Sequence, residues 1–589
     1  MLLDLSVEAL ITILTILSIF VLLLVTKLPA DFVFLGGITV LLMTGVLDAK
    51  QAFAGFSSST VIVIGLLFVV IAGLIHTGVL RWIVKHTLGK PKNHSRAILK
   101  IMAITAALSA FLNNTVVVAL FVNVVKIWSK KLNLAPSKLL IPLSYAAGMG
   151  GICTLIGTPP NMIISELYAR ESGEALGFFC TALPGLFCLV VGVLSTIAMR
   201  RLLPDRSSGE HSFEQVSNYT VEFLVPTDNQ CVGKTLHEAG LDKIEKGHLI
   251  EIVRFDKEEL LPAGTDEFIF GGDRLIFSGD IEELLEMRDK FGFVNATEHV
   301  FHADKDSKNA KVVTAYVPFR SRLVGKTMSE SGLEASHDFV LAAVARSGQV
   351  VRQSPREVVL EPGDTLLMMS GKHADFDGIG RNLHFFDSES IQPVSKKALV
   401  SSAIMIMLVA LSALEVISLL QACMVACMAT LITRCCTVEQ ARKSVDWSIL
   451  MIFASSIALG SAITETGIAQ MLSDSLLILC GQSPLMVLIV LCLLGTFITE
   501  FISNTACAAI FFPIAYESAI ALGANPVTFC IALMISVSSS FATPIGSPTH
   551  MLVYGPGGYR FADFIRIGLP MNLIMLAANI FITTLLFPL

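Results

Sequence analysis

Phe111-Leu112-Asn113-Asn114-Thr115 and Phe501-Ile502-Ser503-Asn504-Thr505 each set an Asn-Thr pair in the middle of a long apolar run. An unpaired amide or hydroxyl is expensive in hydrocarbon, so such residues face a protein interior or a wet cavity. The two stretches predict a polar ligand held between two membrane-buried tips. Other landmarks recur at the same distance. Gly78 is matched by Gly467, 389 positions on; Asn114 by Asn504, 390 on; and Gly157 of Gly157-Thr158-Pro159-Pro160-Asn161 by Gly546 of Gly546-Ser547-Pro548-Thr549-His550, 389 on. This regularity predicts a duplicated membrane unit split by an insert.

Composition agrees with that reading. The chain has 589 residues, 53% of them hydrophobic and 15% charged, with a mean hydropathy of +0.71. Those values exclude an ordinary soluble protein and predict a polytopic α-helical membrane protein. A net charge of -6 and the lack of a long basic run argue against a nucleic-acid partner. The N-terminal apolar stretch has no basic leader and no small-residue cleavage site, so it is expected to be a first span. The 12 cysteines form no CxxC pair, and the adjacent Cys435 and Cys436 are expected to be free thiols in a span.

Spans are expected near residues 7–26, 31–47 and 59–80, followed by the basic residues Lys27, Arg81 and Lys85. The positive-inside rule then puts the N-terminus outside. Around Asn113-Asn114 each arm of the 97–127 stretch is only about 13–16 residues long, short of the ~20 needed to cross. Both flanks are basic, with Lys90, Lys92, Arg96 and Lys100 before and Lys126, Lys130, Lys131 and Lys138 after, which predicts a re-entrant hairpin. Residues 139–168 are interrupted by glycines and by Pro159-Pro160, so they are expected to form a broken helix with freed backbone carbonyls.

The second half repeats this pattern after Lys396-Lys397, with spans at 398–414, 418–433 and 446–466, a hairpin at 483–520 and a broken helix at 525–555. No Lys or Arg occurs between Lys443 and Arg560, so the second hairpin has flanks of the opposite type and the repeat is expected to be inverted. The predicted units are 1–205 (first membrane repeat), 206–295 and 296–390 (soluble α/β inserts) and 391–589 (second, inverted repeat). Within the insert Val232-Gly233-Lys234-Thr235 returns as Val324-Gly325-Lys326-Thr327, and Gly272-Asp273 as Gly363-Asp364. Each copy is expected to be a small βαβ-type unit. The Gly-x-x-x-x-Gly-Lys frame of a phosphate loop is absent.

An anion at this depth needs donors. Asn113, Asn114, Thr115, Ser503, Asn504 and Thr505, with the helix N-termini at the tips, are the candidates. A hard cation needs oxygens, which carbonyls freed around Gly157 and Gly546 and the hydroxyls of Ser109 and Thr499 supply. Ser109 and Thr499 each stand five residues before the central Asn, so two related ion sites are expected. Glu465 and Glu500 read as proton carriers or as helix-end and structural carboxylates. His550 takes the place of Asn161 in the second repeat and is either structural or a proton-coupling group.

Ser109-Ala110-Phe111-Leu112-Asn113-Asn114-Thr115, Thr499-Glu500-Phe501-Ile502-Ser503-Asn504-Thr505 and Gly157-Thr158-Pro159-Pro160-Asn161 resemble the paired Ser-Asn-Thr and Gly-Thr-Pro-x-Asn motifs of the divalent anion/sodium symporter family. The resemblance covers both membrane halves. It implies a homodimer with a scaffold and an elevator-moving transport domain, a small inorganic or organic dianion between the tips, and sodium beside each. Asn114 and Asn504 would then touch both anion and sodium, with Ser109 and Gly157 at one sodium and Thr499 and Gly546 at the other. Asn113 replaces a family Ser, and Ser547-Pro548-Thr549-His550 departs from Thr-Pro-x-Asn, which opens a proton-coupled variant through His550.

The inserts resemble two TrkA-C domains, as in bacterial and algal sulfate permeases of the group. This implies cytoplasmic regulatory units that bind a nucleotide or other small ligand, with a passive dimerisation module as the alternative. The expected activity is sodium-coupled sulfate import across the plasma (inner) membrane. C4-dicarboxylate symport is the rival substrate class and a ligand-gated anion channel the rival mechanism. No nucleophile–base pair or metal-ligand spacing points to an enzyme.

Overall fold

The computed structural model describes residues 6–206 except 27, 80–81, 84–86, 90, 92 and 133, and residues 395–589 except 415. Between these it describes 219–386 apart from 242–246, 255–258, 261–266, 280, 296–310, 319–320, 328–329, 331–338, 347–348, 352–357 and 371–382. Lys27, Arg81, Lys85, Lys90 and Lys92, which carried part of the orientation argument, lie outside the described residues.

The first half contains α1 (Val7–Val25), α2 (Ala30–Met43), α3 (Ala49–Phe53), α4 (Ser59–Thr77), α5 (His94–Ser109), α6 (Asn114–Lys131), α7 (Ser137–Gly151), α8 (Pro159–Ser172) and α9 (Ala182–Ala198). Local chemistry sets these ends. Gly78 stops α4 with φ of 77°, a left-handed conformation that suits a residue without Cβ. The Asn113 side chain caps α6 by accepting from Thr115 N at 2.9 Å. Pro159 opens α8, where a missing N–H leaves no helical bond unmade.

Two five-stranded sheets follow. The strands are β1 (Tyr219–Leu224), β2 (Gly247–Val253), β3 (Glu259–Leu260), β4 (Arg274–Gly279), β5 (Val294–Asn295), β6 (Lys311–Tyr316), β7 (Phe339–Arg346), β8 (Gln349–Val350), β9 (Thr365–Ser370) and β10 (His384–Phe386), with helices α10 (Leu236–Ala239) and α11 (Ile281–Phe291) in the first copy. The strand orders β3-β2-β4-β1-β5 and β10-β6-β9-β7-β8 are one topology used twice. Every described pairing is antiparallel, which corrects the βαβ expectation. β1 and β2 are sequential but not neighbours, and β4 inserts between them.

The second half contains α12 (Ala398–Ala413), α13 (Leu419–Ile432), α14 (Val438–Ser444), α15 (Trp447–Glu465), α16 (Ile468–Cys480), α17 (Pro484–Ile498), α18 (Asn504–Ala521), α19 (Pro526–Val537), α20 (Pro548–Tyr554) and α21 (Phe561–Leu586). The sequence offset reappears in the helices: α13 starts and ends 389 residues after α2, and α18 starts and ends 390 after α6. Packing repeats as well. α2 lies on α15 and α4 on α13, α5 on α7 and α17 on α19, while α6 meets α20 and α18 meets α8. Each tip helix thus leans on the helix that follows the break of the other repeat.

Among the described residues four helices, α4, α9 with its 3-10 extension to Arg201, α15 and α21, are long and apolar enough to cross a membrane alone. α2, α12 and α13 were expected as spans but have only 14–16 residues, below the ~20 that a crossing helix uses. α16, not foreseen as a separate helix, meets α17 at a bend of 117°. At the other end of the first half, Arg206 pairs with Asp563 of α21 through Nη1 at 2.6 Å and donates to Gly558 O at 3.0 Å, tying the start of the insert to the last helix.

Candidate functional site

Both tips have the same internal wiring. Ser109, at the end of α5, is fully buried, and its hydroxyl donates to Asn114 Oδ1 at the start of α6. Thr499, just after α17 and equally buried, donates to Asn504 Oδ1 at 2.8 Å or to Val537 O at 2.8 Å. The five-residue spacing therefore places a hydroxyl and an amide oxygen side by side in each repeat. Asn113 and Ser503 spend their side-chain oxygens on capping the next helix. Among the described residues the amide nitrogens of Asn114 and Asn504 meet no acceptor, so each keeps two N–H donors. Thr115 and Thr505 follow in the first turns of α6 and α18, half-buried, where the helix N-terminus favours an anion.

The breaks supply carbonyl oxygens. In the first repeat Thr154 donates its hydroxyl to Ala110 O, and Asn161 Nδ2 donates to Thr154 O at 2.9 Å. Gly157 sits where a Cβ would lie 2.4 Å from Gly151 O and 3.0 Å from Ala110 O, and a Cβ on Gly151 would lie 2.8 Å from Asn114 Oδ1. Ser109, Asn114, Gly151 and Gly157 are thus brought together in a backbone-lined, oxygen-rich cradle that admits no extra carbon. That donor set fits a hard cation.

The second repeat keeps this plan and changes its fastening. Thr543 donates to Glu500 O at 2.8 Å, the counterpart of Thr154 on Ala110. Ser540 Oγ reaches Asn504 Oδ1 at 3.5 Å and Gly546 O at 3.1 Å. Thr499, Asn504 and Gly546 are thereby joined through Ser540, which was not singled out in the sequence. The Glu500 carboxylate accepts from Ala542 N (2.8 Å), Thr543 N (2.7 Å) and Asn572 Nδ2 (2.6 Å).

His550 does not take the role of Asn161. Its Nε2 lies 2.6 Å from Ser540 O and its Nδ1 2.6 Å from Ser144 Oγ of α7. A carbonyl only accepts, so Nε2 carries a proton, and in the neutral tautomer Nδ1 accepts from Ser144. Tyr145 donates to Phe541 O at 2.8 Å beside it. α7 of one repeat and the break of the other are therefore stitched together at His550. Glu465 lies elsewhere, accepting from Gln51 Nε2 at 2.6 Å.

The insert motifs prove to be turns. Gly233 and Gly325 have φ of 81° and 82°; Thr235 and Glu238 form the reciprocal hydrogen bonds that cap α10, and Thr327 and Glu330 exchange the same pair of bonds. Those bonds hold the exposed Glu330 carboxyl below its ordinary range. Asp273 Oδ2 accepts from Phe270 N and Asp364 Oδ2 from Glu361 N, both at 2.8 Å, and Arg346 grips Asp364 with two bonds of 2.8 Å. The recurring Lys-Thr and Gly-Asp pairs are accounted for by backbone geometry.

Two family models match the chain: one described as citrate transporter over residues 20–479, and the sodium:sulfate symporter transmembrane region over 389–588. Among curated proteins, an uncharacterized transporter of Synechocystis is 30% identical across 95% of this chain and 94% of its own. A Chlamydomonas reinhardtii protein named "Probable sodium/sulfate cotransporter 3" is 22% identical across 91% and 84%. A sodium-dependent dicarboxylate transporter of Staphylococcus saprophyticus is 27% identical over 25% of this chain and 28% of its own. A helical frame with paired polar tips, matched over residues 20–479 by the model described as citrate transporter and over 95% of its length by the Synechocystis transporter, makes the chain a member of that transporter family, with its last third also matching the sodium:sulfate symporter transmembrane region.

Proposed function

We propose that this chain imports a small dianion, sulfate foremost, by sodium-coupled symport. The observation that carries the reading is the paired tip: one hydroxyl, one amide oxygen and two amide N–H donors per repeat, each beside a break lined with carbonyls. A dianion in a poorly solvated site needs counter-charge, yet the sequence has no Lys or Arg between Lys100 and Lys126, between Lys138 and Arg170, or between Lys443 and Arg560. Cations carried with the substrate supply that charge. Ser109, Asn114, Gly157 and neighbouring carbonyls hold one sodium, and Thr499, Asn504, Gly546 and Ser540 the other. Asn114, Thr115, Asn504 and Thr505 present donors to the anion, while Asn113 and Ser503 preorganise the tips. Sulfate should raise the melting temperature of purified protein in sodium chloride and not in choline chloride; an equal shift in both salts would contradict the coupling.

The tips are re-entrant, the repeats are inverted, and the protein works as a homodimer in the plasma (inner) membrane by elevator-type alternating access. Both ring nitrogens are hydrogen-bonded, to Ser540 O and Ser144 Oγ, which supports a structural role for His550 over proton coupling. A carboxylate substrate is the second reading, favoured by the match to a family model described as citrate transporter. Competition decides between them: a tenfold excess of succinate or citrate over sulfate leaves sulfate uptake nearly unchanged in the first reading and suppresses most of it in the second.

The sheet units are proposed to be cytoplasmic TrkA-C-like regulators, and one contact supports a route for their influence. A Cβ on Gly363, in the turn before β9, would lie 2.5 Å from the Tyr554 ring at the end of α20, and Gly555 approaches Gly363 O and Tyr316. Gly363 has φ of 86°, so Gly363→Val both strains the turn and pushes on Tyr554. Its expected effect is a change in maximal uptake rate of about threefold or more, with the sulfate KM little altered. Wild-type kinetics for this variant would remove the sheet units from the transport cycle.

A further inference from the structure

We propose that Glu500 is the positioning residue of the second cation site and that its charge makes the two sodium sites unequal. The inference rests on the sodium-coupled reading. Residue 500 is where the two tips diverge most: Thr499 corresponds to Ser109, but Glu500 corresponds to Ala110. The Glu500 side chain is buried, with 4% of the residue exposed. Its hydrogen-bond partners among the described residues are neutral, namely the amides of Ala542 and Thr543 and the side chain of Asn572. Among the described residues no Lys, Arg or His forms an ion pair with it. A buried carboxylate held by neutral donors keeps a field that an adjacent cation feels strongly.

The geometry puts that field at the proposed site. Glu500 Oε2 lies 3.0 Å from where a Cβ on Gly546 would be. Gly546 N donates to Thr543 Oγ1 at 3.0 Å, and Thr543 Oγ1 in turn donates to Glu500 O. The carboxylate therefore fixes the Ala542 and Thr543 amides directly and Gly546 through the Thr543 hydroxyl, and with it the Gly546 carbonyl, which shares the Ser540 hydroxyl with Asn504 Oδ1. The first repeat does the corresponding job without charge, through Asn161 Nδ2 on Thr154 O. His550, standing where Asn161 would be, is turned to Ser540 O, so the second break depends on Glu500.

The test is Glu500→Gln in the full-length protein, which keeps the shape but removes the charge and turns an N–H₂ toward backbone N–H donors. Expected are a rise of about tenfold or more in the sodium concentration for half-maximal uptake and a sodium activation curve whose slope falls toward that of one site. The sulfate KM at saturating sodium should stay within about threefold. Independently of transport, the increase in melting temperature on replacing choline chloride by sodium chloride should shrink, and Glu500→Asp should recover part of it. Asn572→Ala, which keeps the charge and removes one donor, should move sodium half-saturation the same way by a smaller factor, and serves if the Gln variant is poorly folded. Unchanged sodium dependence in either variant overturns the proposal. A wild-type protein with no sodium response in either readout overturns the sodium-coupled reading itself, and this inference with it.

Discussion

Asn114→Ala and Asn504→Ala should each abolish transport while leaving the protein folded. Each side chain gives an oxygen to the hydroxyl–amide pair of its tip, with Ser109 in one repeat and Thr499 in the other. Each also retains an amide group for the anion. Hydrogen bonds to charged groups are worth about 1.5–3 kcal/mol, and each substitution removes at least one such bond to the anion and one oxygen ligand of the cation. The combined loss, roughly 3–6 kcal/mol, corresponds to a fall of about 10² to 10⁴ in uptake efficiency. Both residues are half-buried at helix starts, and α6 and α18 keep their caps at Asn113 and Ser503, so the cost to stability should be small, about 1 kcal/mol or less. Initial rates of sulfate uptake, compared at equal amounts of monodisperse protein, measure this. Near-normal uptake in either variant would remove that tip from the site.

The second large effect is expected at Gly157. A methyl group there would lie 2.4 Å from Gly151 O and 2.9 Å from Gly151 Cα. Both are backbone atoms, so the break has to open. Overpacking of this kind typically costs about 1–3 kcal/mol in stability, but here the displaced carbonyl belongs to the cation cradle. Gly157→Ala should therefore reduce uptake by about 50-fold or more, chiefly through weaker sodium activation. Gly546→Ala provides the comparison within the same protein. Its methyl would sit 3.0 Å from Glu500 Oε2 and from Ser540 Cβ, a shallower clash than the one at Gly157, and a milder loss of roughly tenfold or less is expected. Equal effects at the two glycines would contradict the assigned difference between the breaks.

Much of this arrangement was legible because duplication leaves a ruler in the sequence. The offsets of 389 and 390 between Gly78 and Gly467, Asn114 and Asn504, and Gly157 and Gly546 reappear as matching helix bounds, and the serine or threonine five residues before each central Asn does meet its amide oxygen. Thr154 and Thr543 obey the same ruler and went unremarked, because a threonine in an apolar segment carries little signal until its carbonyl partner is known. Ser540 and Asn572 were invisible for a different reason. Their partners lie 36 and 72 residues away, and nothing in the first repeat marks them. His550 could not be resolved from sequence, since the choice between a titrating and a structural ring depends on Ser144, 406 residues distant. In the inserts, the recurring Val-Gly-Lys-Thr and Gly-Asp pairs were visible as motifs, but their meaning as a capped helix start and an Asp-closed turn required the hydrogen bonds. The pairing direction of the sheets was misread because strand-and-helix order does not say which strands become neighbours.

Sulfate accumulation by proteoliposomes under an imposed sodium gradient tests the central claim most directly. Radiolabelled sulfate should concentrate inside vesicles when sodium is high outside, should not do so when potassium replaces sodium or when only a pH gradient is imposed, and should fail with Asn114→Ala and Asn504→Ala. Accumulation driven equally well by the pH gradient alone, or no sulfate accumulation alongside sodium-driven uptake of succinate or citrate, would contradict the account.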